Sequence, residues 1–214
     1  MIFFPAGCLL LVLFILALPV LLALGYFHVI TLGFEKLGLD PSLTILIFLA
    51  MLFGSLFNLP LGRKKVIYTQ EPAFFGLFKR PQAKTTGLVI NVGGAVIPVI
   101  LSLYFLSKIP LGPVLIATGL MILVCKYLSR VVPGKGIAIP ALIPPLFAVF
   151  FAFFLAPDFT APCAFVSGVL GTLIGGDLLN LRKAMKQSAG LVSIGGAGVF
   201  DGIFLVGIIS ALFS

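Results

Sequence analysis

Apolar positions dominate this chain in long runs, and polar ones are confined to short punctuating stretches. A membrane-spanning helix needs about 20 consecutive apolar residues. Seven such runs predict seven helices, over residues 3–30, 43–59, 87–106, 111–127, 139–156, 164–181 and 194–213. The first run is too long for the apolar core of a cleavable leader and lacks a basic stretch before it, so it reads as a long tilted span. The expected architecture is an all-α polytopic membrane protein, folded as a single transmembrane domain over 1–214.

Composition agrees: 61% of the 214 residues are hydrophobic, 9% are charged, and the mean hydropathy is +1.28. A soluble domain carries about 25% charged residues. The net charge of +8 would suit a nucleic-acid partner, but the basic residues fall in the short loops, so a lipid bilayer is the expected partner and nucleic acid is not. Twelve Lys and Arg lie in the second, fourth and sixth loops, against Lys36 and Lys108 alone on the other side. The positive-inside rule then sets the N-terminus in the cytoplasm and the C-terminus outside. The longest loop holds Phe74, Phe75, Leu77 and Phe78 beside Lys79 and Arg80. It reads either as an interfacial amphipathic segment or as a loop packed on helix ends.

Two further patterns bear on the interior. The fifth run opens Ile139-Pro140-Ala141-Leu142-Ile143-Pro144-Pro145, and three prolines so close together bar a regular helix there. Residues 87–95 also resemble 190–197, ending in Val92-Gly93-Gly94-Ala95 and Ile194-Gly195-Gly196-Ala197. Leu52-Phe53-Gly54-Ser55 with Asn58-Leu59 likewise resembles Leu173-Ile174-Gly175-Gly176 with Asn180-Leu181. A parallel hairpin repeat, 43–106 and 164–213, is the reading these matches suggest.

The candidate chemistry lies in the second copy. Of six acidic residues, only Asp177 and Asp201 fall at membrane depth. A carboxylate in hydrocarbon costs several kcal/mol unless protonated, paired or facing water, so it marks a functional site. The connecting loop is short and basic, making the two helices antiparallel neighbours. Asp177 lies about 6 Å before the end of its span and Asp201 about 10 Å into the next, at 1.5 Å per residue. The carboxyls therefore reach similar depth. Gly175, Gly176, Gly195, Gly196, Gly198 and Gly202 flank them and permit close approach of helices or of another backbone. Two carboxyls in one desolvated site share a proton. One then activates a water, and the other polarises a scissile carbonyl, as in an aspartic protease.

Three readings of the pair stand side by side: a protease dyad, an H⁺ or Na⁺ site of a transporter or channel, and a structural role in capping and packing. The polar Asn58, Asn91 and Asn180 at depth suit the second. The single His28 reads as an interface residue, and Cys8, Cys125 and Cys163 as packing residues. Nothing implies a metal or a cofactor.

Aspartates on consecutive helices, with a glycine-rich run before the second, resemble the intramembrane aspartyl proteases of the presenilin and prepilin-peptidase types. That resemblance implies Asp177 and Asp201 as catalytic residues of an endopeptidase acting on a transmembrane peptide. It adds Pro140-Ala141-Leu142 to the substrate-binding glycines, although this tripeptide precedes the aspartates here and follows them in presenilins. Phe200 and Gly176 directly precede the two aspartates where presenilins have Gly and Tyr. Across most of its length the chain more closely resembles a prokaryotic integral-membrane family of the domain-of-unknown-function 1614 type, through Gly-Gly-Ala-Gly-x-Phe-Asp-Gly-Ile-Phe-Leu at 195–205 and Gly-x-Asp-Leu-Leu-x-Leu at 175–181. It implies an integral protein of a prokaryotic plasma membrane and supplies no activity.

Overall fold

The structure is a computed structural model. It describes residues 39–62, 65–73, 78–132, 136–187 and 190–196, together with scattered positions between 16 and 28 and between 205 and 209. Most of the first expected span and most of the seventh lie outside the described residues.

The described chain is mostly helical. Its first helix, α1 (Pro41–Gly54), starts where the Asp40 side chain accepts the amide of Ser42 at 2.9 Å and Pro41 supplies a preset φ. Asp40 is therefore a helix cap. A π-turn, Val92–Val96, leads into α2 (Ile97–Leu106), and α3 (Leu111–Leu128) follows after a tight turn. The proline-rich stretch at 139–145 stays non-helical until α4 begins (Ile143–Leu155). Pro144 and Pro145 then fall in the first turn, where a missing amide hydrogen costs nothing. A 3₁₀ turn, Pro157–Phe159, opens α5 (Thr160–Gly171). The helix then widens into a π-turn, Thr172–Asp177, tightens through Leu178–Asn180, and ends as α6 (Leu181–Gln187).

Among the described residues, two helices are long and apolar enough to cross a membrane, Leu111–Leu128 and the continuous run Pro157–Gln187. Ser42–Gly54, Val92–Leu106 and Ile143–Leu155 are apolar but shorter. At the centre stands α5, whose Ala161, Cys163, Ala164, Phe165, Val166, Gly168 and Val169 are all buried. A helix apolar all round sits in a core or in lipid, and α5 is enclosed because α2, α3 and α4 pack against it. Among lipid tails there is little hydrophobic drive between helices, so association depends on close van der Waals fit and small residues. Gly171 and Gly175 supply that fit. A Cβ at Gly171 would collide with Met121, and one at Gly175 with the backbone of Ile122, so α3 meets this helix nearly backbone to backbone.

The all-α expectation is corrected, because strands are present. β1 (Asn58–Pro60) and β2 (Lys65–Ala73) both pair antiparallel with β3 (Phe78–Asn91). The long basic loop thus carries an antiparallel strand pair, with Lys65 opposite Thr86 and Glu71 opposite Arg80, while Phe74, Phe75 and Leu77 lie outside the described residues. The third expected span, 87–106, is strand as far as Asn91 and helical only afterwards. A short hairpin joins α3 to α4, through β4 (Arg130–Val132) and β5 (Gly136–Ala138). The last strand, β6 (Leu191–Ile194), lies parallel to β3, with Gly87 opposite Leu191 and Ile90 opposite Ile194. The two stretches whose sequences resemble each other therefore run side by side in the same direction, one residue out of the register that their sequences would align. Inside a bundle such backbone survives only with its amides and carbonyls paired, which the ladder achieves for these residues.

Candidate active site

Each of the parallel strands β3 and β6 ends in glycines. After β3, the side chain of Asn91 accepts the amide of Gly94 at 2.7 Å and so caps the π-turn. Its Nδ2 donates to the carbonyl of Ser55 at 2.7 Å and to Asn58 Oδ1 at 3.2 Å. Ser193 Oγ, on β6, donates to the same Asn58 oxygen at 3.1 Å. Asn91 is buried, and its amide group thereby ties together the end of α1, strand β1 and the glycine turn.

After β6 the chain turns at Gly195, whose φ of +69 is favourable only for glycine. A Cβ there would strike Gly94 and Ala95, so the two glycine turns touch. The amide of Gly195 does not find its acceptor locally. It donates to Oδ2 of Asp177, at 2.6 Å, on the π-turn at the far end of α5. Asp177 is 1% exposed, and this is its one hydrogen bond among the described residues. A short bond to an ionisable acceptor in a dry setting is of the strong kind.

Three neighbours shape the surroundings of Asp177. Gly175 gives α3 its close approach, and a Cβ at Gly176 would collide with Cδ1 of Ile139. Ile139 directly precedes Pro140, so the Pro140-Ala141-Leu142 stretch emerges beside the Asp177 turn. Pro140 and Leu142 are exposed, and Ala141 is half-buried. Gly196 follows in the turn. The third neighbour, Asn180, went unassigned to the site by the sequence. Its Nδ2 donates to Gly176 O at 2.9 Å, to Gly175 O at 3.2 Å and to Ser129 Oγ at 2.7 Å. A polar amide four residues beyond a glycine pair was the available signal, since that spacing lets a side chain reach back over one helical turn.

Among the candidate residues, then, the structure brings Asp177, Gly175, Gly176 and Gly195 together, with Gly196 and the Pro140–Leu142 stretch adjoining. Asp201, Gly198 and Gly202 lie outside the described residues. Among the described residues no three His, Cys, Asp or Glu side chains gather as metal ligands. Chemically, the cluster offers one enclosed carboxyl held by a backbone amide at the point where an irregular turn meets a second element.

The protein family described as "Protein of unknown function (DUF1614)" matches residues 52–213, and the chain belongs to it. No curated protein and no solved structure matches the chain.

Proposed function

We propose, for a chain whose family carries no activity to inherit, that it is an intramembrane aspartyl protease with Asp177 and Asp201 as its dyad. The observation that carries this reading is the bond from Gly195 N–H to Asp177 Oδ2, 2.6 Å long. It joins Gly195, six residues before Asp201 in the sequence, to the other aspartate. The adjoining Pro140-Ala141-Leu142 stretch and the flanking glycines then form the surface for an extended peptide. In the reaction one carboxylate takes a proton from water as the water oxygen attacks the scissile carbonyl. The protonated partner hydrogen-bonds the developing oxyanion. That partner's proton passes to the oxyanion to give the gem-diol. On collapse the first carboxyl, now carrying the water's proton, protonates the departing amine, and a gem-diol hydroxyl returns its proton to the partner carboxylate. The protein is a seven-span integral protein of a prokaryotic plasma membrane, N-terminus inside and C-terminus outside, and its substrates are transmembrane peptides.

Transition-state analogues bind far more tightly than substrates. A photoreactive peptide isostere bearing a hydroxyl in place of the scissile carbonyl is therefore expected to label the protein in proteoliposomes. Asp177→Asn and Asp201→Asn should each abolish labelling while the protein stays folded. Undiminished labelling of Asp201→Asn would sink the dyad.

One observation favours a second reading. Two glycine breaks lie in contact inside the bundle, each at the end of a strand, and paired discontinuous elements of this kind line ion sites in transporters. Under that reading Asp177 binds H⁺ or Na⁺. Proteoliposomes would show ion-dependent flux lost in Asp177→Asn, with no capture of the isostere.

A further inference from the structure

Asp177 sits where the helix changes from wide to tight turns, and such a change leaves carbonyls out of the regular ladder. The carbonyls of Gly175 and Gly176 lie in that turn, and both accept from Asn180 Nδ2. That nitrogen has two hydrogens and three acceptors. The 2.7 Å contact takes one hydrogen to Ser129 Oγ, and the two carbonyls share the other. Ser129 Oγ donates in turn to Lys126 O at 3.0 Å, at the C-terminal end of α3. A continuous chain of donors thus fastens the turn carrying Asp177 to the end of a neighbouring helix. From the other side, Ile139 closes on Gly176. The short hairpin β4–β5 begins one residue after Ser129 and ends one residue before Ile139, so it straps this turn at both of its ends.

We propose that Asn180 is the positioning residue of Asp177, with Ser129 as its support. It fixes the irregular turn so that the carboxyl meets the amide of Gly195. Nothing in the bond pattern asks Asn180 to touch a substrate. All its donor capacity is spent on the turn and on Ser129. The inference deepens the protease reading by adding a residue that sets the geometry of the dyad, and it rests on Asp177 being the reactive group of the site.

Carbodiimides modify carboxyls that are protonated and reachable within a membrane, so labelling at Asp177 reads its environment without requiring cleavage. In the full chain reconstituted in proteoliposomes, dicyclohexylcarbodiimide should label wild-type Asp177 slowly, as the enclosed carboxyl predicts. Asn180→Leu removes the donors at similar volume and should raise that rate about tenfold, the scale of one buried hydrogen bond. Ser129→Ala removes one link and should raise it about two- to threefold. Alkylation of the buried Cys163 is the control for general loosening, and it should stay at the wild-type rate. A rate in Asn180→Leu within about twofold of wild type, or a rise matched at Cys163, overturns the proposal. Should Asn180→Leu fail to fold, Ser129→Ala decides alone: a rise confined to Asp177 supports the proposal, and no rise overturns it. If Asp177→Asn still captures the isostere, the protease reading falls while the labelling result stands independently.

Discussion

At the first glycine turn, the amide of Gly94 is taken by Asn91, three residues back on the same strand end. At the second, the amide of Gly195 is taken by Asp177, eighteen residues back and on another helix. The two turns touch, their strands run parallel, and their sequences are alike. They differ in what holds them. The first has a neutral side chain that spends its oxygen and its nitrogen on neighbours, all of them within the junction. The second is held by an ionisable group from outside the junction. A neutral, fully partnered amide is what a purely structural junction needs. An enclosed carboxyl costs more than an amide doing the same job, so its presence at only one of the two turns argues that this turn carries the chemistry.

Breaking the shared framework should have the largest effect. Gly175→Leu forces a side chain into the backbone of Ile122 and should cost about 3 kcal/mol or more, or prevent folding, as read by thermal melting in detergent. Asn91→Leu strips the first junction of its partners and strands the amide of Gly94. A loss of about 2–3 kcal/mol is expected, with isostere capture intact in the protein that remains folded. The opposite profile is expected at the second junction. Asp177→Asn keeps an oxygen that accepts from Gly195, so melting should shift by no more than about 1 kcal/mol while capture disappears. Ser193→Ala, which removes the single bond between β6 and Asn58, should cost about 0.5–1 kcal/mol and leave capture unchanged. Equal behaviour of Asn91 and Asp177 variants in both assays would erase the contrast.

The helices were legible where one signal acted alone. The run 111–127 is apolar, its one proline, Pro113, falls in the first helical turn where it is tolerated, and α3 occupies it. Residues 87–91 were misread because a short apolar run suits a buried strand as well as a helix. Its β-branched neighbours Thr85, Thr86, Val89 and Ile90 were the evidence for strand. The basic hairpin was hidden by its charges, which suit a loop between spans, although Val66, Ile67, Tyr68 and Thr69 favour strand. At the site, an aspartate among apolar residues announced itself. The partner at Gly195 followed only in outline, from the glycine run. The hold of Asn180 on Gly175 and Gly176 was legible only as a spacing, because its geometry also depends on a π-turn that no local pattern specified.

The most direct test of the dyad is an experimental structure of the membrane-reconstituted protein with the hydroxyl isostere bound. The account predicts that the carboxyls of Asp177 and Asp201 both hydrogen-bond the isostere hydroxyl, each oxygen within about 3 Å of it. An Asp201 carboxyl turned to a different helix, with Asp177 still held by Gly195 alone, would contradict it.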